Sequence, residues 1–66
     1  MEEATRLNRL AGECLQKQDF QGALEYFRQA LDHLPSNEKV ARGRILNNMG
    51  HASVRLKKLD RALDLF

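Results

Sequence analysis

Five polar residues in the stretch "GRILNNMGHASVR" carry the most directed chemistry in this 66-residue chain. Arg44, Asn47, Asn48, His51 and Arg55 follow one another at steps of three, one, three and four. On a helix that spacing gathers them into one polar stripe. An Asn amide both donates and accepts, so it can bond both groups of a peptide unit. An Arg guanidinium can hold a carboxylate through two parallel N–H bonds. Asn is a poor choice for a merely solvated helix face, where Glu, Lys or Gln hold the helix better. The stripe therefore reads as a binding surface in preference to an ordinary wet helix face.

Catalytic chemistry is missing from the residue pattern. A hydrolytic site needs a nucleophile beside a base, or paired carboxylates in a pocket. Cys14 with His33 or His51 is the pair to weigh, but Cys14 falls among apolar residues at helical spacing, where a thiol is buried and inert. His33 falls in the last turn of a helical pattern, where a cation suits the dipole. Neither His has a Cys or His at ligand spacing, so no metal site is expected. No strand pattern exists for a phosphate-cradling glycine loop to follow. The expectation is a non-enzyme without cofactors.

Helices must position the stripe. Leu7, Leu10, Ala11, Cys14 and Leu15 recur at steps of three and four, which predicts a first helix. "KQD" breaks the pattern, and Asp19 is a fitting N-cap for a second. Phe20, Ala23, Leu24, Phe27, Ala30, Leu31 and Leu34 form its stripe, and Pro35 stops it. Ser36 then predicts the cap of a third helix from about Asn37 to Leu56, with Glu38 in its first turn and Val40, Ala41, Ile45, Met49, Ala52, Ser53 and Leu56 as its apolar side. "KKLD" reads as a further break, and "RALDLF" as the start of a fourth helix in which the chain stops. The fold class expected is all-α, with short connections and antiparallel neighbours.

Net charge is +2, unevenly spread. Up to Pro35, four basic residues stand against six acidic ones; from Ser36, seven basic stand against three acidic. The second half should prefer an acidic partner. Nucleic acid is disfavoured, because Phe20, Tyr26, Phe27 and Phe66 mostly belong to apolar stripes and leave no stacking platform. "MEEATR" has no apolar run behind it, and no run approaches the length of a membrane span. With a single Cys, which suits a reducing compartment, the expected location is cytoplasmic.

Shifting the chain by 39 residues superposes its features. Leu7 falls on Leu46, Leu10 on Met49, Ala11 on Gly50, Cys14 on Ser53 and Phe20 on Leu59; Ala23, Leu24 and Phe27 fall on Ala62, Leu63 and Phe66. Under the same shift Thr5, Asn8, Arg9, Gly12 and Gln16 answer to the polar stripe on the third helix.

These positions resemble a tetratricopeptide repeat. Leu7, Leu10-Ala11, Cys14, Phe20, Ala23, Phe27, Ala30 and Pro35 fill the family's pattern in order, with Leu7 where Trp is common and Cys14 where Tyr is common. The resemblance covers repeat 1, about residues 4–35, and an incomplete repeat 2, about residues 37–66. The period of 39 exceeds the usual 34. "GRILNNMGH", with Gly43, Arg44, Asn48 and Gly50, is similar to the signature of the longer-period LGN/Pins-like type. The resemblance implies an α-solenoid fragment of antiparallel helix-turn-helix repeats, four helices with the last truncated. Small residues would sit at the helix crossings, Ala11 with Ala23 and Gly50 with Ala62.

The resemblance also implies function: a scaffold or adaptor whose A helices line a concave groove for an extended peptide. The peptide-binding residues it marks are Arg44, Asn47, Asn48, His51, Arg55, Asn8, Arg9 and Gln16. A chaperone-tail clamp is not expected, since Asn8 and Gly12 stand where that pattern wants Lys and Asn. A peptide with internal acidic residues fits Arg44 and Arg55 better. The rival expectation is self-association, a homo-oligomer through an open edge at Leu59, Leu63, Leu65 and Phe66.

Overall fold

The computed structural model describes the backbone of residues 2–64 and the side chains of residues 2–61. It contains three helices, α1 (Glu2–Gln16), α2 (Phe20–Asp32) and α3 (Lys39–Asp64), and no strand among the described residues. α1 starts with Glu2 and Glu3, favourable against the helix dipole, and buries Ala4, Leu7 and Ala11. Glu3 pairs with Arg6 one turn on, an exposed contact that contributes little to stability but holds the Glu3 carboxyl below its ordinary range.

The turn between α1 and α2 is built by three residues. Gln18 is left-handed, with φ 62. Its N–H donates to the Leu15 carbonyl at 3.0 Å, and the Asp19 N–H donates to the Cys14 carbonyl at 2.8 Å. These two bonds form a Schellman closure, with Gln18 where Gly is usual. Asp19 then caps α2, its Oδ1 accepting from the Gly22 N–H at 3.0 Å. A Cβ on Gly22 would lie 2.8 Å from Asp19 Cγ, so glycine leaves room for the cap.

α2 buries Phe20, Ala23, Phe27 and Ala30. It ends at Asp32, before the expected Leu34, because the residue ahead of Pro35 is pushed away from helical geometry. α3 begins at Lys39, two residues later than Ser36 capping would give. Residues Pro35 to Glu38 form a turn, Glu38 N–H to Pro35 carbonyl at 3.1 Å, and the Glu38 carbonyl accepts the first helical bond from the Arg42 N–H at 3.0 Å. Arg42 also reaches back to the Leu31 carbonyl near the end of α2, Nη1 to O 3.3 Å. The guanidinium there meets the negative end of the α2 dipole and ties α3 to it.

Leu7, Ala11, Ala23, Phe27, Ala30 and Ile45 form one buried cluster, with Leu10, Cys14, Leu15, Tyr26, Leu31, Leu34 and Met49 packed around it. Ala11 and Ala23 are fully buried, as close packing of α1 on α2 requires. α3 packs on α2 and barely meets α1. Ile45 and Ala52 are the buried ones among its described residues, while Val40, expected on its apolar side, is exposed.

Among the described residues the expected fourth helix is absent: α3 runs unbroken through "KKLD" to Asp64. Lys57 and Lys58 occupy the places of Gln18 and Asp19 under the 39-residue shift. A lysine has no side-chain acceptor to cap a helix, and Lys-Lys-Leu is good helix sequence. Among the described residues no helix crosses α3 at Gly50, which faces open space. Of the expected edge residues Leu59 is exposed; the side chains of Leu63, Leu65 and Phe66 lie outside the described residues. No described helix is long and apolar enough to cross a membrane. At about 1.5 Å per residue the 26 residues of α3 span about 39 Å, which accounts for most of the molecule's 44 Å length.

Candidate functional site

Because α1 and α3 both lean on α2 and barely touch each other, a groove runs between them. It has two clefts. The first, about 230 Å³, is lined by Ala4, Thr5 and Asn8 from α1, Leu34 after α2, and Ala41, Arg44, Ile45 and Asn48 from α3. The second, about 290 Å³, is lined by Leu15, Gln16, Gln18 and Phe20 around the first turn, and His51, Ala52 and Arg55 from α3.

Six of the eight expected residues thus come together: Asn8, Arg44 and Asn48 at one end, Gln16, His51 and Arg55 at the other. Arg9 and Asn47 do not line either cleft. Each is exposed and adjacent in sequence to a residue that does, so each is turned about 100° round its helix from the groove. The apolar floor, Leu34 and Ile45 at one end and Leu15 and Phe20 at the other, belongs to stripes read from the sequence as core alone. Gln18 had no periodic signal, since it stands in the turn.

The rim is basic. Among the described residues neither Arg44 nor Arg55 is paired with a carboxylate, so both guanidinium groups are available to a ligand. They stand eleven residues apart on α3, about 16 Å along the axis. Amides lie between and opposite them, with an Asn on each wall of the first cleft. The arrangement can bond a polypeptide backbone, hold carboxylates and cover apolar side chains.

Nucleophile chemistry finds no support in the placement of Cys14. It is half-buried against the core, and burial together with the nearby Asp19 carboxylate pushes its thiol above the ordinary range. His33 and His51 are exposed. Among the described residues no cluster of His, Cys, Asp or Glu could hold a metal ion.

The family model for the tetratricopeptide repeat matches residues 4–37, just over half of the chain. The match takes in α1 from Ala4 on, its turn, α2 and most of the Pro35 turn, which together supply the α1 wall and part of the floor of the groove. No curated protein and no solved structure matches the chain.

Proposed function

This chain belongs to the tetratricopeptide repeat family, and we propose that its α1–α3 groove holds an extended, acidic segment of a partner protein. Repeats of this family generally mediate protein–protein interactions. The observation that carries the reading is the first cleft, where Asn8 faces Arg44 and Asn48 across an apolar floor. An extended chain rises about 3.3 Å per residue and alternates its side chains between two faces, so the roughly 16 Å between Arg44 and Arg55 is met by acidic residues four or six apart, the even separations that keep both carboxylates on one face. Two residues of the signature similar to the LGN/Pins-like type, Arg44 and Asn48, line this cleft, which supports an acidic rather than a neutral ligand.

We read residues 37–66 as the front of a second, incomplete unit, on the strength of the 39-residue shift. A cytoplasmic setting suits the single Cys14 thiol. A second reading, self-association, is favoured by the exposure of Leu46, Val54 and Leu59.

The test is affinity capture from lysate with the wild-type chain, an Arg44→Ala/Asn48→Ala variant, and Lys39→Ala as an off-groove control. Loss of the wild-type partners by the double variant alone supports the groove. An unchanged partner set, with helix content intact by circular dichroism, would sink it.

A further inference from the structure

The two ends of the groove differ in what they offer an anion. The first cleft sets one cation, Arg44, beside the amides of Asn8 and Asn48. The second, about 290 Å³, gathers donor side chains from two helices and a turn: Gln16 at the end of α1, Gln18 after it, and His51 and Arg55 one turn apart on α3. All four are exposed, and none has a hydrogen-bond or ion-pair partner among the described residues. Among those residues no carboxylate lines the cleft. Asp19, next to Gln18 in the chain, lines a separate cleft with Gly22, Glu25 and Tyr26, where it caps α2. The negative end of α1 is blunted as well, because the Cys14 and Leu15 carbonyls already accept from the Asp19 and Gln18 N–H groups.

A carboxylate has two oxygens, and one guanidinium fork meets both. Around Arg55 the second cleft therefore holds more donors than a carboxylate can use: one imidazole and two amides. A phosphoryl group uses them. It presents three acceptor oxygens and a charge of about −1.5 to −2 at neutral pH. We propose that the second cleft takes a phosphoserine or phosphothreonine of the bound peptide, while the first takes an Asp or Glu four or six residues away.

The assignment rests on the reading of the groove as a peptide site and names the group that fills one end of it. The Arg55 fork holds two phosphoryl oxygens, and the third accepts from His51, Gln16 or Gln18. An imidazole donates an N–H whether or not it is charged, so His51 serves in either state. Leu15, Phe20 and Ala52 give the phosphorylated side chain an apolar floor. Phosphorylation of the partner then sets how tightly it is held, and the spacing to the acidic residue sets which phosphorylated residue is read.

Fluorescence anisotropy with labelled peptides tests it, each carrying one Asp and, four residues away, either a second Asp or a phosphoserine, in both orders. In one order the phosphoserine peptide should bind about fivefold tighter than the two-Asp peptide, the scale of one or two exposed charge-assisted contacts. Gln16→Ala/His51→Ala, at helix positions where Ala holds the helix best, should bring the two peptides to nearly equal affinity. Arg44→Ala should weaken both alike and leave the preference in place. A phosphoserine five residues from the Asp, equal in charge but on the opposite face, should gain nothing. Equal affinity of the phosphoserine and two-Asp peptides in both orders overturns the phosphoryl assignment and leaves the groove standing. A preference that survives Gln16→Ala/His51→Ala, or persists at five residues, is general attraction to a basic surface and overturns the assignment as well. Absence of binding by every peptide overturns the groove itself, and the assignment with it.

Discussion

Leu7 and Leu46 hold the same place in the 39-residue repeat, yet Leu7 is 3% exposed and Leu46 is 53%. The difference is made elsewhere, at the turn that follows Leu7 and the unbroken helix that follows Leu46. After Leu7 the chain reverses through Gln18 and Asp19 and brings α2 onto α1; after Leu46 it does not reverse. The burial of a residue here depends on a cap more than ten residues away.

Gln18 is the first place to test that dependence. A non-glycine residue in the left-handed region costs about 1 kcal/mol, and Gly removes that penalty. Gln18→Gly should therefore raise stability by about 1 kcal/mol, read as a higher midpoint in urea with an unchanged slope. A lower midpoint would show that the side chain contributes packing that outweighs the strain.

Asp19 and Gly22 should behave as one unit. Asp19→Ala removes the cap and should cost about 1 kcal/mol. Gly22→Ala gains helix propensity but places a methyl against the Asp19 carboxylate, so it should give little or negative benefit in the wild-type chain. In the Asp19→Ala background the same change should stabilise, by up to about 1 kcal/mol. Additive effects in a double-mutant cycle would contradict the contact.

Cys14 gives the chain a dependence on alkaline pH. Its thiol is pushed up in the folded state, so the folded chain holds this proton more tightly than the unfolded one. The associated stability is present below the ordinary thiol range and is lost as pH rises through the folded value. Denaturant midpoints should fall in that alkaline window for the wild-type chain and stay flatter for Cys14→Ala. At neutral pH, alkylation of Cys14 should be slow and should speed up in denaturant.

Much of this was legible in the sequence, and the exceptions have physical causes. α1 and α2 are readable because Leu7–Ala11 and Ala23–Phe27–Ala30 keep one period and Asp19 and Pro35 punctuate it. The end of α3 is not, because "KKLD" interrupts apolar periodicity without supplying a residue that turns or caps a chain. A loss of periodicity marks the end of packing, and α3 passes beyond the body it packs on. Gly50 follows from the same cause: it answers to Ala11, but among the described residues no helix crosses it. In the groove, Asn8, Asn48, Arg44 and Arg55 are readable from spacing, while Arg9 and Asn47 share the polarity and miss the angle.

The account's central claim is that the groove reads an extended acidic chain. Fluorescence anisotropy with labelled peptides that carry two Asp residues on a Ser/Ala background, their separation varied from two to eight residues, addresses it directly. Affinity should peak at separations of four and six, where both carboxylates lie on one face of the extended peptide and reach Arg44 and Arg55 together, and dip at five, and this pattern should flatten in Arg55→Ala. Binding that is absent, or that ignores the separation of the two carboxylates, would contradict the claim.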